Sequence, residues 1–98
     1  MSTVVGMRKA QDMPVLRAAA AEIKARRLQL NISQEELAHR AEVHRSFVAR
    51  LETAQTQPTL AVLFRLASAL EADVSEFVNA MSKRYQTELR QTLDSTRP

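Results

Sequence analysis

Arg45 and Arg50 lie five residues apart in a stretch, RSFVARLE, whose apolar residues Val48 and Leu51 recur at helical spacing. On that period Arg45, Ser46, Ala49 and Arg50 share the opposite face, so a short helix would present two guanidinium groups on a polar, basic surface. Each guanidinium is a planar fork of donors that matches O6 and N7 of guanine in the major groove of a DNA duplex. Ser46 can donate to a base or a phosphate, and His44, just before the helix, can do the same or cap its start. Other chemistries find little support. His39 and His44 are five apart with no cysteine in the chain, a spacing that does not face one metal. Glu35 and Glu36 are adjacent, so they leave a helix on different sides and cannot share a reacting centre. There is no glycine-rich phosphate loop and no nucleophile elbow. No catalytic residue, metal or cofactor is expected, and the chain reads as a non-enzyme.

The elements that must position this surface follow from caps and periodicity. Ser33 is followed three residues later by Glu36, a capping-box pattern in which the hydroxyl takes a free N–H of the helix start and the carboxylate reaches back to Ser33. A helix is therefore expected from about Gln34, burying a narrow stripe of Leu37, Ala38 and Ala41, with Ala38 small enough for a second helix to cross closely. Val43 plugs the turn. The first helix is expected from near Pro14 to about Leu30, stopped at Asn31, with Leu16, Ala20, Ile23, Arg27 and Leu30 on one stripe. The fourth begins after Pro58 with Thr59 as cap and buries Leu60, Leu63, Leu66, Ala67 and Leu70. The fifth begins near Ser75 and contributes Val74, Phe77 and Val78 to the core.

Beyond that core, Met81, Tyr85, Leu89 and Leu93 continue from Phe77 at four-residue spacing, an apolar stripe that the fifth helix would carry to about Leu93. With no other element foreseen to cover it, a second copy of the chain is the expected partner, and Phe77, Met81, Tyr85, Leu89 and Leu93 are the interface candidates. The organisation expected is a flexible arm over 1–12, a helical domain over 13–81 and a C-terminal extension over 82–98.

Composition agrees. The 98 residues suffice for one core, 45% are hydrophobic, only one is glycine, and the apolar spacing is helical throughout, so the class is all-α. The absence of cysteine excludes a disulfide framework. No apolar run approaches a membrane span and no compact signal segment opens the chain, so no membrane role and a cytoplasmic location are expected. The net charge of +3 is modest, and within 33–52 Glu35, Glu36, Glu42 and Glu52 outnumber Arg40, Arg45 and Arg50. Placement, not total charge, must carry any DNA binding.

The stretch SQEELAHRAEVHRSFVARLE, with IKARRLQLN before it and PTLAVLFRLASALEADVSEFV after it, resembles the helix-turn-helix of the phage repressor and Cro-type, or Xre-like, regulators over about Ile23 to Val78. The resemblance implies a compact five-helix bundle of the lambda-repressor-like type, with the helix-turn-helix formed by helices 2 and 3. It implies that Gln34, first in the second helix, holds a phosphate, and that His44, Arg45, Ser46 and Arg50 read bases. It also implies that Arg27, awkward on an apolar stripe, pairs with Glu52 as a buried structural ion pair. The family's glycine after the second helix is here Glu42, which would sit left-handed at a cost of about 1–2 kcal/mol. Its glycine and basic residues after the third helix are here Thr53-Ala54-Gln55-Thr56-Gln57, so the phosphate role passes to Thr53 and Gln55 as neutral donors.

Two functions are then expected. One is a homodimeric transcriptional regulator on an inverted-repeat operator in double-stranded DNA, a repressor or restriction–modification controller that acts on its own promoter or another. The alternative is an antitoxin or interaction module gripping a partner protein, with DNA binding secondary. With 98 residues taken up by one core, no small-molecule ligand is expected.

Overall fold

The computed structural model describes residues 2–95, with side chains over 12–94. Five helices make up the regular structure of these residues: α1 (Ser2–Gln29), α2 (Gln34–Ala41), α3 (Arg45–Glu52), α4 (Leu60–Ala69) and α5 (Val74–Ser95). The all-α bundle expected from the periodicity is what forms. Ile23, Leu37, Val48, Leu51, Leu66 and Phe77 are its largest fully buried side chains, one or more from every helix. Burying each contributes about 1.5–3 kcal/mol, which makes this cluster the main source of stability.

Caps set the helix starts. Ser33 Oγ accepts from the Glu36 N–H at 3.0 Å and Thr59 Oγ1 from the Val62 N–H at 3.2 Å, as their positions suggest. Asp73, overlooked in the sequence, caps α5 by accepting from the N–H groups of Ser75 at 2.9 Å and Glu76 at 3.2 Å. The Ser75 hydroxyl and these backbone donors hold the Asp73 carboxyl below its ordinary range. The capping box at Ser33 is only half made, because Glu36 turns its carboxylate to Arg40 Nε at 3.0 Å instead of back to Ser33.

Helix ends follow one pattern. Asn31, Glu42, Ala54 and Glu71, which follow α1 to α4, all have positive φ, between 56° and 59°. After each, the next N–H returns to a carbonyl five residues back: Ile32 to Arg27 at 3.3 Å, Val43 to Ala38 at 3.0 Å, Gln55 to Arg50 at 2.9 Å and Ala72 to Ala67 at 2.9 Å. These are Schellman motifs, and Ile32, Val43 and Ala72 complete three of them by packing against the core. Glycine fills none of the four left-handed positions.

Three expectations about packing are corrected. The arm expected over residues 1–12 is helical from Ser2 onward, and α1 runs through Pro14, which is buried. Lack of an apolar period argued against a helix there, yet Met7 to Gln11 are good helix formers and need no amphipathic pattern to be helical. Leu60 and Val78 are not core residues, being 71% and 43% exposed. Periodicity gives the direction in which Leu60 leaves α4, not how far along the axis its neighbours reach, and Val78 lies beside the Val74–Phe77–Met81 stripe rather than on it.

The third correction concerns α5. Its stripe does not wait wholly for another chain, because α1 packs along α5. Phe77 is fully buried in the protomer's own core with Arg26 over its ring at 5.4 Å, so it cannot line a dimer interface. Met81 packs against that core, Tyr85 and Leu89 are half-buried, and only Leu93, at 63%, stands well exposed. The buried Glu22 fastens the two helices, accepting from Arg26 Nε at 2.5 Å and Arg84 Nε at 2.7 Å. Burial pushes its carboxyl up, but the hydrogen bonds from Arg84 and Arg26 outweigh this and hold it below the ordinary range.

Candidate nucleic-acid interface

The turn between α2 and α3 is Glu42-Val43-His44. Glu42 has φ 58° and ψ 46°, and its N–H returns to α2 carbonyls while Val43 is anchored below. The turn holds its form because the backbone pattern and the apolar plug fix it, although a carboxylate residue here costs about 1–2 kcal/mol relative to a right-handed one. Glu42→Gly should relieve that strain, less about 0.5–1 kcal/mol for the freer unfolded chain. We expect a net gain of about 0.5–1 kcal/mol in urea unfolding, and a similar gain from the charge-neutral Ala54→Gly. A loss of stability in both variants would contradict the strain argument.

His44 is the N-cap of α3, with extended backbone (φ −77°, ψ 145°). Its Nδ1 accepts from the Ser46 N–H at 3.4 Å and lies 3.0 Å from Ser46 Oγ. His44 therefore serves the helix start, and Ser46 has its hydroxyl engaged by the same ring. Arg45 is exposed and, among the described residues, has neither an ion pair nor a hydrogen-bond partner. Arg50 is exposed with its guanidinium 5.9 Å from the centroid of the Phe47 ring. Phe47 is half-buried against the core, so it offers Arg50 a fixed platform.

A groove open to solvent brings together Gln34 at the start of α2 with His44, Arg45 and Ser46 at the start of α3, with Arg27, Ser33, Ala49 and the acidic Glu35 also in its wall. Arg50 is outside that groove, and Thr53 and Gln55 lie past the other end of α3. Below the groove, Arg27 donates from Nε to Glu52 Oε2 at 2.6 Å and from a terminal nitrogen to Glu52 Oε1 at 2.9 Å. The two side chains are 11% and 2% exposed. The hydrogen bond from Arg27 to Glu52 raises the arginine's titration against the opposing effect of burial, so the guanidinium stays charged. Arg27 also donates to the Ile32 carbonyl at 2.9 Å, which ties α1, the α1–α2 turn and α3 to one guanidinium.

Two contacts alter the sequence reading. Gln34 donates from Nε2 to Glu52 Oε1 at 3.0 Å, so the amide expected to hold a phosphate is itself oriented by the buried pair. One N–H of that amide is engaged and the other remains for a ligand. Thr53, expected as a donor, gives its hydroxyl proton to α3 carbonyls, with Ala49 O at 3.1 Å and Arg50 O at 3.3 Å, and accepts from Gln55 Nε2 at 2.9 Å. Its proton is thus used within the helix end, and Gln55 alone of the two keeps a donor to offer. Periodicity could not reveal either contact, because both depend on how the side chains fold back.

Arg40 and Arg65 are structural. Arg65 Nε donates to the Ala41 carbonyl at 2.9 Å, and Arg40 reaches the Ala69 carbonyl at 3.4 Å and Glu71 at 3.5 Å, so both stitch α2 to α4. Among the described residues no group of three or more His, Asp or Glu side chains could hold a metal ion, and no helix is long and apolar enough to cross a membrane.

A family model described as helix-turn-helix matches residues 23–77, more than half of the chain. No curated protein sequence matches. Among solved structures, the restriction-modification controller protein C.AhdI from Aeromonas hydrophila is similar at 29% identity and a TM-score of 0.61, over 63% of this chain and 94% of that one. The clp gene regulator ClgR from Corynebacterium glutamicum shares the fold at 18% identity and a TM-score of 0.74, over 83% of this chain and 86% of its own. The controller protein C.Esp1396I, solved as a tetramer with its natural 35 base-pair operator, shares the fold at 24% identity and a TM-score of 0.67, over 74% of this chain and 95% of that one.

Proposed function

The chain belongs to the helix-turn-helix family, and from that premise we propose a sequence-specific transcriptional regulator that binds double-stranded DNA as a homodimer, with α3 in the major groove. The observation that carries this reading is the open groove in which Gln34, Arg45 and Ser46 converge, braced from beneath by the Arg27–Glu52 pair. Gln34 offers its free N–H to a phosphate and sets the register. Arg45 and Arg50 read guanines, Arg45 from the front of α3 and Arg50 from its stacked position on Phe47. His44 holds the start of α3, and Gln55 supports the backbone past its end. The protein acts by occupying its site, not by catalysis, in the compartment that holds the DNA.

A two-fold dimer sets two reading helices about 34 Å apart, one duplex turn, and so suits an inverted repeat. Its contact surface moves from the α5 stripe to α4, where Leu60 and Phe64, one turn apart, are 71% and 52% exposed. Regulation of a restriction–modification operon is the biological setting that agrees with the likeness to C.AhdI.

The test divides the roles. On an operator found by footprinting DNA upstream of the protein's own gene, Arg50→Ala should cost about 1–3 kcal/mol and relax one base position. Gln34→Ala should weaken specific and random DNA alike. Equal loss of affinity for both DNAs in Arg50→Ala would refute the assignment of Arg50 to base reading.

A further inference from the structure

The α3–α4 turn, Thr53-Ala54-Gln55-Thr56-Gln57, carries no cation, yet it adjoins a second groove that does. This groove runs between α1 and the end of α3, lined by Arg17, Ala20 and Lys24 from α1 and by Glu52, Thr53 and Ala54 from the other side. Arg17 and Lys24 are seven residues apart, two helical turns, and therefore share a face of α1. Both are exposed, and among the described residues neither has an ion-pair partner. The one acid in the groove, Glu52, has its side chain 2% exposed and already neutralised by Arg27. The groove is therefore a site of uncompensated positive charge. It is linked to the reading surface through Glu52, which lines it, while Arg27 and Gln34, the two partners of Glu52, line the other groove.

We propose that Arg17 and Lys24 form a sequence-independent clamp for the DNA phosphate backbone, replacing the basic residues that the α3–α4 turn lacks. The ligand is a phosphodiester flanking the bases read by α3, and each cation neutralises one phosphate. The proposal rests on the DNA-binding reading above and extends the contacted backbone beyond the helix-turn-helix to α1. Arg17 also borders a groove toward α5 that contains Glu88, which offers it a rival partner, so Lys24 is tested separately.

The experiment measures binding of the full chain to a 40 base-pair random-sequence duplex as a function of salt, for wild type, Lys24→Ala, and Arg17→Ala with Lys24→Ala. Each phosphate contact contributes about 0.9 to the log–log salt slope. The single variant should lower the slope by about 0.9 per protomer and the double variant by about 1.8, with binding at 0.1 M salt at least tenfold weaker in the latter. A charge-matched control, Lys83→Ala with Arg90→Ala on the exposed side of α5, should leave the slope unchanged. Unchanged slopes in the α1 variants, or an equal fall in the control, would overturn the clamp while leaving DNA binding by α3 in place. Wild-type binding that is absent or insensitive to salt would overturn both readings.

Discussion

Replacing Glu52 with alanine should cost about 3–5 kcal/mol of folding stability, because it leaves the Arg27 charge buried with only the Ile32 carbonyl as a partner. The loss exceeds the net worth of the pair, since desolvating both ions consumes most of what their attraction returns. The double variant Arg27→Met with Glu52→Leu should therefore recover most of the stability lost in Glu52→Ala. Urea unfolding of the three proteins measures this, and a double variant no more stable than Glu52→Ala would refute it. The double variant also separates folding from recognition. Gln34 would lose its anchor in a protein that still folds, so DNA affinity should stay reduced after stability returns.

Phe77→Ala should be about as damaging, at 3–5 kcal/mol, for a different reason. The ring is fully buried and meets Arg26 at 5.4 Å, so truncation opens a cavity in the core and removes the face on which the guanidinium rests. Sedimentation well below the melting temperature should show the same oligomer as wild type. An intact melting curve with a changed oligomer would return Phe77 to an interface between chains.

Local grammar was legible in the sequence. Ser33 and Thr59 announced helix starts, Asn31 announced a left-handed end, and the spacing of Leu37, Ala38, Ala41, Val48 and Leu51 announced two helices with their inner faces. These signals act within one or two turns, so a periodic reading captures them. Contacts between distant segments were less accessible. The salt bridge of Arg84 to Glu22 spans 62 positions and the hydrogen bond of Gln34 to Glu52 spans 18, and no local rule specifies either. The same blindness hid the cover over α5, because it depends on α1 meeting α5 from the far end of the chain, through contacts such as Arg84 with Glu22. The Arg27 and Glu52 roles came from family resemblance alone. The proposed Arg17–Lys24 clamp had no signal at all until α1 was placed beside the end of α3.

The packing of α1 on α5 joins the first and last helices of the chain. Helices α2, α3 and α4 meet through neighbours close in sequence, whereas this pair can form only after the intervening chain has been drawn into a loop. Loop-closure entropy makes such a contact slow to form and dependent on what has already folded. The reading unit should therefore assemble early, and the clasp between the ends should close late. Arg84 and Glu22 then govern how fast the finished protein comes apart more than how fast it forms.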